Sequence, residues 1–189
     1  MTPTVRPYAP EDRRWAEGLL EELMGSARAV RLGEVLEPAG PPGLVAERGG
    51  ERIGLLTYLV DGGQFEVLSL HCRVENAGAG SALLRAAAGL AAERGCRRLW
   101  LVTTNDNLHA LGFYQRRGLR LYALHAGSLD RDRALKPELP EINPDNRIPM
   151  RDLLELELDL PPAGPGPGPP GPGAAGPGPG APGPGAAGP

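Results

Sequence analysis

The chain has 189 residues, but its last 29, Pro161 to Pro189, are only proline, glycine and alanine, so every charge, aromatic ring and cysteine lies in residues 1–160, enough chain for one buried core. Irregular glycine spacing in the tail (Gly164, Gly166, Gly168, Gly171) excludes a collagen triple helix. A formal net charge of −3 offers no strong field for nucleic acid or an anionic membrane, and there is no apolar run of about 18 residues to span a bilayer.

In chain order, Thr4 to Tyr8 reads as a short first strand whose Pro7 suits an edge or a strand end. Pro10, Glu11 and Asp12 suit the first turn of a helix, along which Trp15, Leu19 and Leu23 recur at fourfold spacing until Gly25. Ser26 to Pro42 is ambiguous between a short helix and an irregular segment. Gly43 to Glu47 and Glu51 to Val60 are extended runs joined at Gly49-Gly50, a hairpin signal because the turn needs positive φ. Asp61-Gly62-Gly63 is the next tight turn, and Gln64 to Val74 a further strand.

The pattern then changes period. Gly80 to Gly95 is helical, with Leu83, Leu84, Ala87, Leu90 and Ala91 on one face and Ser81, Arg85 and Glu93 on another. Arg98 to Thr103 has the nearly continuous apolar character of a strand covered on both faces. Asn105 or Asp106 caps a helix running to about Arg117 and ending at Gly118. Leu119 to Leu124 is a strand, and after a long polar loop Met150 to Leu160 is the last. The fold class is therefore mixed α/β: a central, mostly antiparallel sheet with one parallel step, flanked by helices. Residues 1–160 form the domain and residues 161–189 a disordered tail.

Cys72 and Cys96 lie in apolar, strand-like stretches without metal-ligand spacing. They read as reduced, buried thiols in a cytoplasmic protein, and no metal is expected. Met1 to Arg6 lacks the basic-then-apolar pattern of a signal peptide.

The most informative segment is the turn Cys72-Arg-Val74-Glu-Asn-Ala77-Gly78-Ala79-Gly80-Ser81 between a strand and a helix. Gly78 and Gly80 permit a tight turn whose N–H groups converge, and the helix start behind them adds roughly half a unit of positive charge. Such a turn either cradles a pyrophosphate or is a ligand-free strand-to-helix connection. A Walker loop is excluded because no lysine is present here, Lys136 being the only one in the chain. The turn also follows a meander rather than the first strand of a Rossmann sheet.

A second segment, Asn107-x-x-Ala110-x-x-Phe113-Tyr114-x-x-x-Gly118, lies one helix and one strand later. Together the two segments resemble the GNAT family of N-acetyltransferases, whose loop reads Gln/Arg-x-x-Gly-x-Gly/Ala and whose later motif reads Asn-x-x-Ala-x-x-Phe-Tyr-x-x-x-Gly-Phe. Leu119 replaces the usual final Phe. Glu75 stands where Gln or Arg is usual, and a carboxylate there must point outward or cap a neighbouring N–H group. The resemblance covers about Thr4 to Leu160 and is most distinctive from Glu66 to Gly118.

The resemblance implies a GNAT-like acyl-CoA N-acyltransferase fold in which acetyl-CoA lies between splayed strands. Backbone groups around Cys72 and Val74 would hold pantetheine, and Ala77, Gly78, Ala79, Gly80 and Ser81 the pyrophosphate. Asn107 would contact pantetheine or cap its helix. Tyr114 is implied as the general acid that protonates the departing thiolate, as well as a CoA contact.

An alkylamine acceptor is mostly protonated at pH 7, so a base is needed. Glu66, in an apolar strand, is the first candidate, and His71, placed on the opposite strand face by simple alternation, the second. Arg116, Arg117 and Arg120 read as a solvated basic face with a possible second role at nucleotide phosphates, and His109 and His125 as structural or exposed.

The implied function is transfer of an acetyl group to a primary amine by direct attack in a ternary complex. The alternative is a non-catalytic acyl-CoA sensor or interaction module. Expected partners are acetyl-CoA and an amine acceptor, without nucleic acid or membrane, in a monomer or homodimer. Because the proposed domain is complete at Leu160, truncation after that residue should leave CoA affinity unchanged by calorimetry; a loss would show that the tail folds back on the site.

Overall fold

The computed structural model describes residues 2–26, 28–40, 42–74 and 77–161. Its centre is a seven-stranded sheet formed by β1 (Thr4–Pro7), β4 (Gly43–Arg48), β5 (Glu51–Asp61), β6 (Gln64–Cys72), β7 (Arg98–Thr104), β9 (Leu153–Asp159) and β8 (Arg120–His125), in that spatial order. Every neighbouring pair is antiparallel except β6 and β7, which α2 (Ala79–Glu93) bridges, as a parallel pair requires. α1 (Arg13–Met24) covers one sheet face, where Ala16, Leu19 and Leu20 pack on Val45 and Leu55. On the other face, α2 and α3 (Leu108–Gln115) close the larger core around Phe65, Leu83, Leu99, Leu101 and Leu156.

Glycine at positive φ does its expected work at the hairpin turns, with Gly49 at 61° and Gly50 at 83°. The edge position of β1 is as expected from Pro7. Pro10–Asp12 form a 3-10 turn ahead of α1, and the buried stripe of that helix is shifted from the one expected: Leu23 is 43% exposed.

The ambiguous Ser26–Pro42 stretch is neither helix nor irregular throughout. It holds a separate hairpin, β2 (Ala29–Arg31) and β3 (Glu34–Leu36), turned at Leu32 and Gly33, both with positive φ. The long polar loop contains one helical turn, α4 (Ser128–Asp132), whose buried Asp132 accepts from Gly33 N at 2.7 Å. The lone lysine, Lys136, is buried and donates to Arg28 O at 2.8 Å. These two bonds fasten the small hairpin to the α4 segment. Cys96 lies in the turn before β7 rather than in a strand, and both thiols are free. Glu75 and residues 162–189 of the tail lie outside the described residues, among which no helix is long and apolar enough to cross a membrane.

Asp12 ties β1, α1 and β5 together. Its fully buried carboxylate accepts from Arg6 Nη1 (2.6 Å) and Nη2 (2.9 Å), from Arg52 Nη1 (3.1 Å) and from Ala9 N (2.9 Å). Hydrogen bonding to Arg6, partly opposed by burial, holds its pKa down to about 2. The depressed value means that ionised Asp12 stabilises the fold above the ordinary carboxylate range. That contribution, about 2 kcal/mol, is lost as pH falls from about 4 towards 2. Asp12→Asn should therefore lower the melting temperature at pH 7 and differ much less from the parent near pH 2.5, as read by thermal melts across that range.

Candidate active-site cleft

The cleft begins where strand pairing stops. β6 and β7 are paired only from Gln64↔Arg98 to Glu66↔Trp100; beyond that, β6 continues on β5 alone and β7 on β9 alone. Their divergence opens a cavity of about 580 Å³ lined by β6 residues Val67 to Cys72, by Val74, by Gly78 to Ser81, by Leu101 to Thr103 and by Asn107, His109, Ala110, Phe113, Tyr114, Arg116 and Arg117, with Leu23 from α1.

At one end stands the start of α2. Gly78 caps it in the left-handed conformation (φ 79°), so the first N–H groups of the helix are left without intrahelical acceptors. Gly80 is packed so closely that a Cβ there would lie 3.0 Å from Phe113 Cζ. Phe113 carries the Arg117 guanidinium on its ring at 3.5 Å, and that guanidinium also donates to Ser81 Oγ (Nε, 2.9 Å) and Phe113 O (2.8 Å). Arg117 is thus built into the turn rather than solvated. Burial, with Arg116 and Arg85 nearby, lowers its pKa. Among the described residues no carboxylate pairs with this positive charge. An adjoining groove of about 490 Å³ is lined by Ser81, Arg85, Arg116 and Arg117. Arg85 was not singled out from the sequence as a candidate for the site, although its place one turn after Ser81 on the polar face of α2 was the available signal. Arg120 is elsewhere, paired with Glu157 and Asp159 on β8 and β9.

Midway along the cleft, Tyr114 is 8% exposed, and burial, reinforced by Cys72, raises its phenol well above the usual value. Burial likewise pushes the Cys72 thiol up to about 11. Asn107 caps α3 by accepting from Ala110 N at 3.0 Å while also lining the cleft, so capping and ligand contact use one side chain. Ala77 is packed against the larger core beside the turn.

His71 and Glu66 depart from the alternation expected of them. Thr57 pairs with Ser69 and Tyr58 with Val67, which leaves Leu68 as a bulge. The extra residue reverses the alternation, so Glu66, Ser69 and His71 lie on the same face, the one α1 covers, and the opposite-face placement of His71 is corrected. They differ in access. His71 lines the cleft, and burial lowers its pKa, which favours neutral imidazole. Glu66 is 9% exposed and ion-paired to Arg31 of the β2–β3 hairpin, outside the cleft lining. Burial raises its pKa; Arg31 opposes the shift while Glu34 and Glu155 add to it. His125 is neither free nor in the cleft: its Nε2 lies 2.8 Å from Glu155.

The acetyltransferase (GNAT) family model matches residues 8–119. The uncharacterized proteins YxbD and YdhI of Bacillus subtilis are each 44% identical to the chain. The YxbD alignment spans 108 residues, 57% of this chain and 67% of that one; the YdhI alignment spans 103 residues, 54% of this chain and 64% of that one. Among solved structures, the fold is shared with an IAA acetyltransferase from Bacillus cereus, with a TM-score of 0.62 and 22% identity over 84% of this chain and 100% of that one. It is shared too with a GNAT family acetyltransferase from Elizabethkingia anophelis with acetyl-CoA bound, with a TM-score of 0.59 and 20% identity over 84% of this chain and 99% of that one.

Replacing Gly80 tests the turn directly. Gly80→Val should displace Phe113 and with it Arg117, lowering CoA affinity by about tenfold or more in a calorimetric titration. Unchanged affinity would remove this turn from the binding site.

Proposed function

Because the chain belongs to the acetyltransferase (GNAT) family, which transfers acyl groups from CoA, we propose that it moves an acetyl group from acetyl-CoA to a primary amine by direct attack in a ternary complex. The observation that carries this reading is that one cleft is lined together by Gly78 to Ser81 at the start of α2, by Tyr114 and by His71. In it, Gly78, Ala79, Gly80 and Ser81 receive the pyrophosphate on backbone N–H groups, with Ala77 supporting the turn. Arg85, Arg116 and Arg117 take the remaining phosphate charge. Backbone groups of Cys72 and Val74 hold the pantetheine arm, with the Asn107 amide on its other side. The protein then contributes chiefly by fixing the thioester in reach of the amine.

His71 serves as the base. With the amine bound in its neutral form, the nitrogen lone pair attacks the thioester carbonyl, and the neutral imidazole takes the one N–H proton that the nitrogen must lose. The C–S bond breaks as the tetrahedral intermediate collapses, releasing a thiolate that is protonated as the imidazolium returns its proton through solvent. Tyr114 is buried and fully protonated, so it donates a hydrogen bond that strengthens as negative charge gathers on the departing sulfur. The high pKa of Cys72 keeps that thiol protonated at neutral pH, which favours direct transfer over an acyl-cysteine intermediate. Glu66, held by Arg31, positions the hairpin instead of reaching the amine.

Acetyl-CoA-dependent release of CoA across a panel of amines tests the reading. Tyr114→Phe should lower kcat by roughly 10- to 100-fold while CoA affinity stays within about threefold. His71→Ala should also lower kcat and remove the acidic limb of the pH–rate profile, which falls below the ordinary histidine range because burial lowers this pKa. Absence of CoA release with every amine, together with tight CoA binding, would favour a non-catalytic sensor.

A further inference from the structure

The cleft lining outside the glycine turn, α2 and α3 includes Leu23 of α1, Leu68, Ser69 and His71 of β6 and Val102 of β7. Among the described residues lining the whole cleft there is no aspartate or glutamate. Nearby carboxylates are already engaged. Glu66 is paired with Arg31, and Arg31 stands 5.7 Å over the Trp100 ring. Glu155 is held by Arg98 and His125, and Glu22, beside Leu23 on α1, by Arg73 at 2.6 Å. An ammonium ion entering here would leave water without gaining a free counter-charge, and burying an unpaired charge is costly. At pH 7 an α-amino group is neutral in roughly one molecule in ten, whereas a lysine-like amine is neutral in about one in 2,500.

Resting on the transfer reading above, we infer that the acceptor is a weakly basic primary amine, of the α-amino type, carried on an apolar group, and not a lysine-like or polyamine cation. Leu23, Leu68 and Val102 receive the apolar group, Ser69 offers one hydroxyl, and His71 takes the single proton that must leave. Selectivity then follows from what this part of the cleft withholds: a diamine would bring a second charge that no described side chain lining it balances.

Four amines separate the contributions: phenylalanine amide (weak base, apolar), 2-phenylethylamine (strong base, apolar), cadaverine and spermidine. At pH 7, kcat/KM should fall in that order, by about tenfold or more between the first and the last two. Calorimetric binding of the same amines to the CoA-loaded protein should follow the same order. Leu23→Glu, at a half-exposed helix position that tolerates substitution, should raise kcat/KM and affinity for cadaverine relative to phenylalanine amide. Selective binding of phenylalanine amide without turnover would sustain this inference while removing the transfer reading. Preference for cadaverine or spermidine, or equal or absent binding of all four amines, would overturn it.

Discussion

The molecule depends on a strand pair that is abandoned early. β6 and β7 share only three registered positions before they part, yet each keeps its other neighbour to the end: β5 for β6, β9 for β7. The sheet therefore stays whole while a wedge opens inside it. Each strand beyond Glu66 and Trp100 faces the wedge with backbone N–H and C=O groups that no strand satisfies, and such groups demand a partner. An extended ligand with its own amide groups can answer that demand in the manner of an added strand. Around this wedge, the glycine turn stands at one end because β6 must reverse into α2, and Tyr114 stands in the middle because α3 is launched from the end of β7.

The two sides of the wedge are treated differently in charge. On the side of α2 and α3, Arg85, Arg116 and Arg117 gather around Ser81, and among the described residues Arg117 finds a hydroxyl, a carbonyl and an aromatic face as partners. Outside the cleft lining, around Glu66 and Trp100, positive and negative groups are matched within the protein: Arg98 spans Glu155 and Glu157, and Arg31 meets Glu66. Buried pairs of that kind add little net stability, because desolvation offsets attraction, but they fix geometry and cancel the local field. The arginine cluster is free to meet a polyanion, whereas the charges around Glu66 are balanced among themselves. On the proposed reading, one chain thereby separates a CoA end from an acceptor end without a second domain.

Much of this was legible in the sequence, for physical reasons that can be named. Gly49-Gly50 and Asp61-Gly62-Gly63 forced the hairpins, the 3.6-residue period exposed α2, and Gly78 with Gly80 marked the turn. What escaped was whatever depended on one residue out of phase. Leu68 carries no mark of a bulge, since any apolar residue fits there, yet it moves His71 to the face of Glu66. The β2–β3 hairpin was hidden because its turn places Leu32 at positive φ, a conformation that leucine rarely adopts and that the tertiary bonds from Asp132 and Lys136 help to impose. Arg31 had no visible partner until that hairpin was folded over Glu66.

The proposed choice of His71 as base rests on the same local shift. Without the bulge, Glu66 and His71 would stand on opposite faces, and only one of them would share the acceptor side. With it, Ser69 and His71 are carried along that face into the wedge, while Glu66 stays in the paired region beside Trp100, where Arg31 reaches it. Burial raises the Glu66 pKa in spite of Arg31, so it is its place outside the cleft lining, and the ion pair it would have to give up, that set it apart from the cleft. A neutral imidazole in the cleft has no ion pair to lose, and only burial opposes its protonation. One unpaired leucine therefore both bends β6 away from β7's continuing line and decides which of two titratable groups faces the cleft.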